Sequence, residues 1–208
     1  MQKYSTELPG LAFYCASGEL VSPCYRISAH RAGELCAKNA FRLVYGAGSV
    51  GLMGKLAEGA FFHGGPVTGV IPTYLLTKEQ PFDWLRNAPN MLVEVSDMTE
   101  RRDQFRARSI ASVVLSGGMG TLTEMAEDLT LEQIGQRSHP TIIVNENGYW
   151  DHQLAQYARM RQEQAIRPGL DFREIVISRI DDLFPTLHSV CPQMSQTVIP
   201  FMQARGSR

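Results

Sequence analysis

The residues richest in chemistry are Ser116-Gly117-Gly118-Met119-Gly120-Thr121-Leu122-Thr123-Glu124, a glycine-rich turn that follows an apolar run, Ile110 to Leu115, and opens an amphipathic helix. Glycines let the backbone approach an anion, and the free amides and positive dipole end of the helix supply fixed donors to it. Thr121 adds a hydroxyl. Glu124 falls on the same helix face about one turn along, within reach of a sugar attached to a bound phosphate. The segment fits a phosphate cradle with a carboxylate beside it; it also fits a plain glycine turn before a helix, which α/β proteins use often. A second constellation, Asp97-Met98-Thr99-Glu100-Arg101-Arg102, closes another apolar run, and its paired arginines can grip a phosphate or orient a carboxylate. Arg106 and Arg108 read as a solvated basic face.

Other chemistries lack their residues. Gly46 to Gly51 matches the GxGxxG spacing, yet the ribose-binding acid expected about 20 residues on is replaced by Gly69-Val70-Ile71-Pro72-Thr73, which argues against a dinucleotide. Gly54-Lys55 lacks the Walker context on both sides. His30, His63, His139, His152 and His188 lie apart, and Cys15, Cys24, Cys36 and Cys191 form no CxxC pair, so no metal site is expected. There is no GxSxG elbow for a serine nucleophile. Tyr149, Trp150 and Tyr157 read as core or interface residues rather than ligand stackers.

The elements that must position these groups alternate between short apolar runs and longer amphipathic ones. That pattern predicts an α/β fold, a doubly wound, mostly parallel sheet of about seven strands flanked by helices. Strands are expected at Leu11 to Cys15, Phe41 to Tyr45, Val67 to Ile71, Met91 to Val95, Ile110 to Leu115, Thr141 to Val144 and Glu174 to Ile177. Helices are expected at Pro23 to Lys38, Gly51 to Phe62, Thr99 to Arg108, after the glycine turn, Trp150 to Gln164 and Ile180 to His188, with a long loop from Pro72 to Asn90 as a lid or interface segment. In such a sheet the loops after strands share one edge, where ligands bind. Cys15-Ala16-Ser17-Gly18, Gly46 to Gly51 and the Ser116 to Thr121 turn should therefore converge, which places Ser17 and Gly117 among the binding residues.

A chain of 208 residues, 44% hydrophobic and 20% charged, reads as one globular domain over 1–208 with a loose tail from about 192. Its formal charge of -1 gives no electrostatic case for nucleic acid or an anionic membrane surface. No apolar run approaches the length of a membrane span, and the first residues carry charges, so a cytoplasmic protein is expected.

Against this background the chain resembles the LONELY GUY (LOG) family of cytokinin riboside 5'-monophosphate phosphoribohydrolases, long labelled lysine-decarboxylase-like. Leu43-Val44-Tyr45-Gly46-Ala47-Gly48-Ser49-Val50-Gly51-Leu52-Met53-Gly54 is similar to the family's LVYGGGSVGLMG with one glycine changed. Gly69-Val70-Ile71-Pro72, with Leu75 and Glu79, is similar to GVIPxxLxxxE. Ser116 through Glu124 matches PGGxGTxxE, and Thr130 to Gly135 resembles TWxQLG. The resemblance implies a Rossmann-like fold, usually a homodimer with active sites near the interface. It further implies cleavage of the N-glycosidic bond of a nucleoside 5'-monophosphate, AMP or a cytokinin ribotide, to free base and ribose 5-phosphate, with no cofactor.

Position by position, the resemblance implies Arg101 and Glu124 as catalytic residues. It implies Glu79, Arg102, Gly118, Met119, Gly120, Thr121, Leu122, Thr123 and Thr130 as substrate-binding residues. Among the departures from the motifs, Ser116 replaces a proline, Thr99 a histidine, Arg102 a lysine and Thr123 an acid. Loss of a base from C1' leaves an oxocarbenium-like sugar that a carboxylate can stabilise while it activates water, the work expected of Glu124. Arg101 is expected to position phosphate or Glu124. The alternative expectation is a non-catalytic carrier of a nucleotide or of molybdenum cofactor. Lysine decarboxylation is the weakest, since only Lys3, Lys38, Lys55 and Lys78 exist to carry pyridoxal phosphate.

Overall fold

Seven strands form a single sheet in the order β4-β3-β2-β1-β5-β6-β7, with every neighbouring pair parallel. They are β1 (Gly10–Tyr14), β2 (Arg42–Tyr45), β3 (Val67–Pro72), β4 (Leu92–Val95), β5 (Ala111–Val114), β6 (Thr141–Val144) and β7 (Glu174–Ile177). These are the features of a computed structural model that describes residues 8–89 and 91–191. The tail expected from 192 lies outside the described residues.

The sheet is parallel because its inner strands are buried on both faces and each crossover carries a helix, while the edge strands β4 and β7 keep Glu94 and Val176 exposed. Along β1, Leu11 and Phe13 pack into one apolar cluster, and Ala12 and Tyr14 into the other. This is the period-two alternation of a strand with no solvent face. The first cluster lies under α1 (Pro23–Lys38) and α2 (Gly51–Phe62), through Ala29, Ala32, Leu52 and Leu56. The second lies under α5 (Met98–Ala107), α6 (Met119–Gln133) and α7 (Asp151–Gln162), through Phe105, Met125, Leu129 and Tyr157. The chain winds outward from β1 to β4, returns to place β5 beside β1, and winds outward again. The switch between β1 and β5 opens the crevice where the loops after these strands part.

The structure corrects the segment expected to be a loop before β4. It holds a 3-10 turn at Thr73–Leu75, α3 (Leu76–Glu79) and α4 (Asp83–Asn87), interrupted where Gln80 takes a left-handed φ of 44°. Helices of four and five residues are too short for a 3.6-residue pattern to register. The last helix also differs: Ile180–Asp182 is a 3-10 turn, and α8 spans Leu183–Val190, with Pro185 tolerated in its first turn.

Candidate functional site

Arg101 reaches the crevice because α5 starts cleanly. Asp97 caps it, its carboxylate accepting from the amides of Thr99 (2.8 Å) and Glu100 (2.9 Å), bonds that hold its pKa below the usual carboxylate range. In the first turn Arg101 is buried at 7% exposure. Its Nε donates to the carbonyl of Val70 within β3 (3.1 Å) and its Nη2 to the carbonyl of Gly46 just after β2 (2.9 Å). A Cβ on residue 46 would stand 2.2 Å from Nη2, so only glycine admits the guanidinium there. The next residue, Ala47, holds a left-handed φ of 66°, a conformation that explains the glycine in the family motif.

The glycine turn forms the opposite wall. Gly118 is the N-cap of α6, which begins inside the motif at Met119. At Gly117 a Cβ would lie 2.1 Å from the Thr121 hydroxyl, so the turn closes tightly over Thr121. The first amides of α6 have no intrahelical carbonyl to bond, the arrangement with which helix N-termini can bind anions.

Between these walls lies a cavity of about 110 Å³ lined by Glu124, Arg101, Thr121, Gly120, Ser17 and Glu79, with Phe13, Cys15, Gly46, Met53 and Phe105 completing it. Glu124 is pushed up to about 7. Burial is the main cause, Arg101 the largest opposing influence, and Asp128 adds to the rise. A carboxyl poised near neutrality in a cleft is suited to proton transfer and to stabilising a developing cation. Burial and Glu124 together raise the Cys15 thiol, which keeps it protonated and unreactive. A larger hollow of about 720 Å³ lies at the other edge of the sheet among Pro9, Arg42, Arg108 and His139. Among the described residues no carboxylate lines it, and Arg101 and Glu124 line the smaller cavity instead.

The cavity thus gathers Ser17, Glu79, Arg101, Gly120, Thr121 and Glu124 from the expected set. Gly117 and Gly118 shape the turn beside it. Arg102 does not join Arg101: it ion-pairs with Glu127 on α6, which also receives Arg106 at 3.0 Å. Adjacent helical residues point about 100° apart, and the two arginines take different direct partners, although both charges act on Glu124. Met119, Leu122, Thr123 and Thr130 do not line the cavity. Thr123 and Thr130 donate to the carbonyls of Met119 (2.8 Å) and Ala126 (2.7 Å) on the outward face of α6, opposite Thr121 and Glu124.

Beneath Glu124, one turn along α6, lies a polar cluster that sequence reasoning missed. The Asp128 carboxylate is buried, accepts from Tyr14 (2.9 Å) and Ser112 (2.7 Å) and pairs with Arg137, which also donates to Ser112 (2.8 Å). The signal was present as polar residues at core-facing positions of β1, β5 and α6. Asp128→Asn is expected to lower unfolding free energy by about 2 kcal/mol in urea titration, because a charge-assisted pair is replaced by neutral bonds. An unchanged midpoint would show the cluster to be dispensable for stability.

A doubly wound parallel sheet with a glycine turn opening a helix at its switch point defines a Rossmann-like α/β protein. Residues 53–187 match the family model described as "Possible lysine decarboxylase", and the chain belongs to this family, the LOG family. Its relatives include two Oryza sativa subsp. japonica proteins, each named "Probable cytokinin riboside 5'-monophosphate phosphoribohydrolase". The first is 39% identical over 68% of this chain and 61% of its own length; the second is 32% identical over 89% of this chain and 78% of its own. The match thus spans less than two thirds of the first relative. An Arabidopsis thaliana cytokinin riboside 5'-monophosphate phosphoribohydrolase is 30% identical over 86% of this chain and 79% of that protein.

Among solved structures, the molybdenum cofactor binding protein of Rippkaea orientalis superposes with a TM-score of 0.63 at 19% identity, covering 89% of this chain and 99% of that one. The Moco carrier protein of Chlamydomonas reinhardtii gives 0.60 at 17% identity, covering 90% and 99%. These likenesses bear on the fold alone.

The decarboxylase label implies pyridoxal phosphate on a lysine, and the residues do not fit it. Among the described residues no lysine lines the cavity; Lys38 and Lys55 pair with Glu34 and Glu58 on helix surfaces, and Lys78 is exposed. Among the described residues no helix is long and apolar enough to cross a membrane.

Proposed function

We propose that this protein hydrolyses the N-glycosidic bond of a nucleoside 5'-monophosphate, AMP or a cytokinin riboside 5'-monophosphate, to the free base and ribose 5-phosphate. The observation that carries this reading is the placement of Glu124, its carboxyl near neutrality, one turn below the free amides of α6 in a cavity at the sheet's switch point. The phosphate binds the amides of Gly118, Met119 and Gly120 with the Thr121 hydroxyl. The ribose then reaches Glu124. As the C1'–N bond breaks, its electron pair leaves with the base, and the Glu124 carboxylate stabilises the oxocarbenium-like sugar. Water adds its oxygen to C1' with Glu124 as base, and the departing nitrogen takes up a proton.

Arg101, its donors engaged by Val70 and Gly46, acts through Glu124 rather than on phosphate: its charge favours the carboxylate form. Glu79 and Ser17 hold the sugar side of the cavity. Phosphate binding remote from the broken bond orients the sugar. The reaction consumes only water. The outward face of α6, with exposed Met119, Thr123, Ala126 and Thr130 and then Ile134, is the surface for a homodimer, and Thr123 and Thr130 belong to that interface on this reading.

The experiment compares initial rates of adenine release. AMP should exceed adenosine in kcat/KM by at least about 100-fold, and isopentenyladenosine monophosphate, assayed in parallel, identifies the preferred base. Equal rates for AMP and adenosine would remove the phosphate anchor from the mechanism.

A further inference from the structure

The turn that presents the α6 amides is held from outside by a residue that the function so far leaves unused. Tyr149 follows the 3-10 turn Glu146–Gly148, and its hydroxyl donates to the Gly117 carbonyl at 2.9 Å. The ring is set edge-on to Tyr25 (centroids 5.3 Å, 76°) and to Trp150 (5.0 Å, 77°). Its backbone is fixed as well: the Tyr149 amide donates to Glu146 (3.1 Å), and the next amide, Trp150, donates to the Asn145 side chain (2.7 Å). The hydroxyl is therefore delivered by a braced element rather than by a free loop.

A planar trans peptide carries its C=O and the following N–H in opposite directions. Holding the Gly117 carbonyl toward Tyr149 therefore fixes the direction of the Gly118 amide, the first donor of the cradle. Such a hold is needed here, because two glycines in succession leave this peptide free to rotate and the preceding residue is Ser116, which lacks the fixed φ of a proline. The Ser116 carbonyl is itself held by the Ala16 amide at 3.1 Å. Tyr149 secures the one peptide between that anchor and the helix.

We propose that Tyr149 is a positioning residue for the phosphate half of the ligand: it orients the Gly117–Gly118 peptide for an anion and makes no contribution to recognition of the base. This inference rests on the phosphate seat described under the proposed function. Calorimetric titration of ribose 5-phosphate and of adenosine into wild type and Tyr149→Phe tests it, since phenylalanine keeps the ring packing and removes only the donor. Binding of ribose 5-phosphate should weaken about fivefold, the loss of one hydrogen bond that preorganises the site, while adenosine affinity stays unchanged and the melting temperature falls by no more than about 4 °C. In turnover, KM for AMP should rise by the same factor with kcat nearly constant. Equal ribose 5-phosphate affinity in the two proteins, or a parallel loss for both ligands, would overturn the assignment. Failure of wild type to prefer phosphorylated ligands would instead strike the phosphate seat itself, so the two failures are distinguishable.

Discussion

Glu124→Gln lowers kcat on AMP by about a thousandfold, within the span general acid–base groups contribute, and at alkaline pH the variant is more stable than the wild type. The two effects share a cause. Burial lifts the Glu124 carboxyl from 4.5 to about 7 in the folded protein. Between these values the folded state holds a proton that the unfolded state has released. Stability from this group is therefore fully present below pH 4.5 and is lost as pH rises through 7. Glutamine does not titrate, so its melting temperature should gain on that of wild type from pH 5 to pH 8. The wild-type kcat/KM should rise through about pH 7 as the working carboxylate forms. A variant with full activity, or a stability difference that shrinks with pH, would show that Glu124 neither works nor titrates as described.

Arg101→Met is expected to damage both fold and chemistry. Methionine fills similar space but leaves the carbonyls of Val70 and Gly46 without their guanidinium donors, a loss of about 2 to 3 kcal/mol. It also removes the strongest influence favouring the Glu124 carboxylate, so the acid limb of the pH–rate profile should move above 7. Activity at pH 7 should fall about 100-fold and recover in part at pH 9. A limb that stays in place, with only KM for AMP raised, would return Arg101 to direct phosphate contact.

The frame was legible where burial is symmetrical. Strands such as β1, β5 and β6 are buried on both faces and show as continuous apolar runs between turn residues, and the glycine turn after β5 marked the start of α6 directly. Glu124 could be placed beside Thr121 from helix spacing alone. Helical direction was harder to read. The Arg101-Arg102 pair looked like one anion grip, yet a single residue step along the helix sends Arg101 inward and Arg102 to Glu127. Motif matching likewise gathered Met119, Thr123 and Thr130 with Thr121, although they occupy the outward face of α6. Contacts between distant segments carry no local signal, and so Tyr149 on Gly117 and Arg137 on Asp128 emerged only from the fold.

The most direct measurement is product analysis of AMP incubated with the purified protein, with adenine and ribose 5-phosphate quantified together. The reading of the site requires both to accumulate in equal amounts, at a rate that Glu124→Gln abolishes. Adenosine with inorganic phosphate, or no product from AMP or from isopentenyladenosine monophosphate, would contradict it.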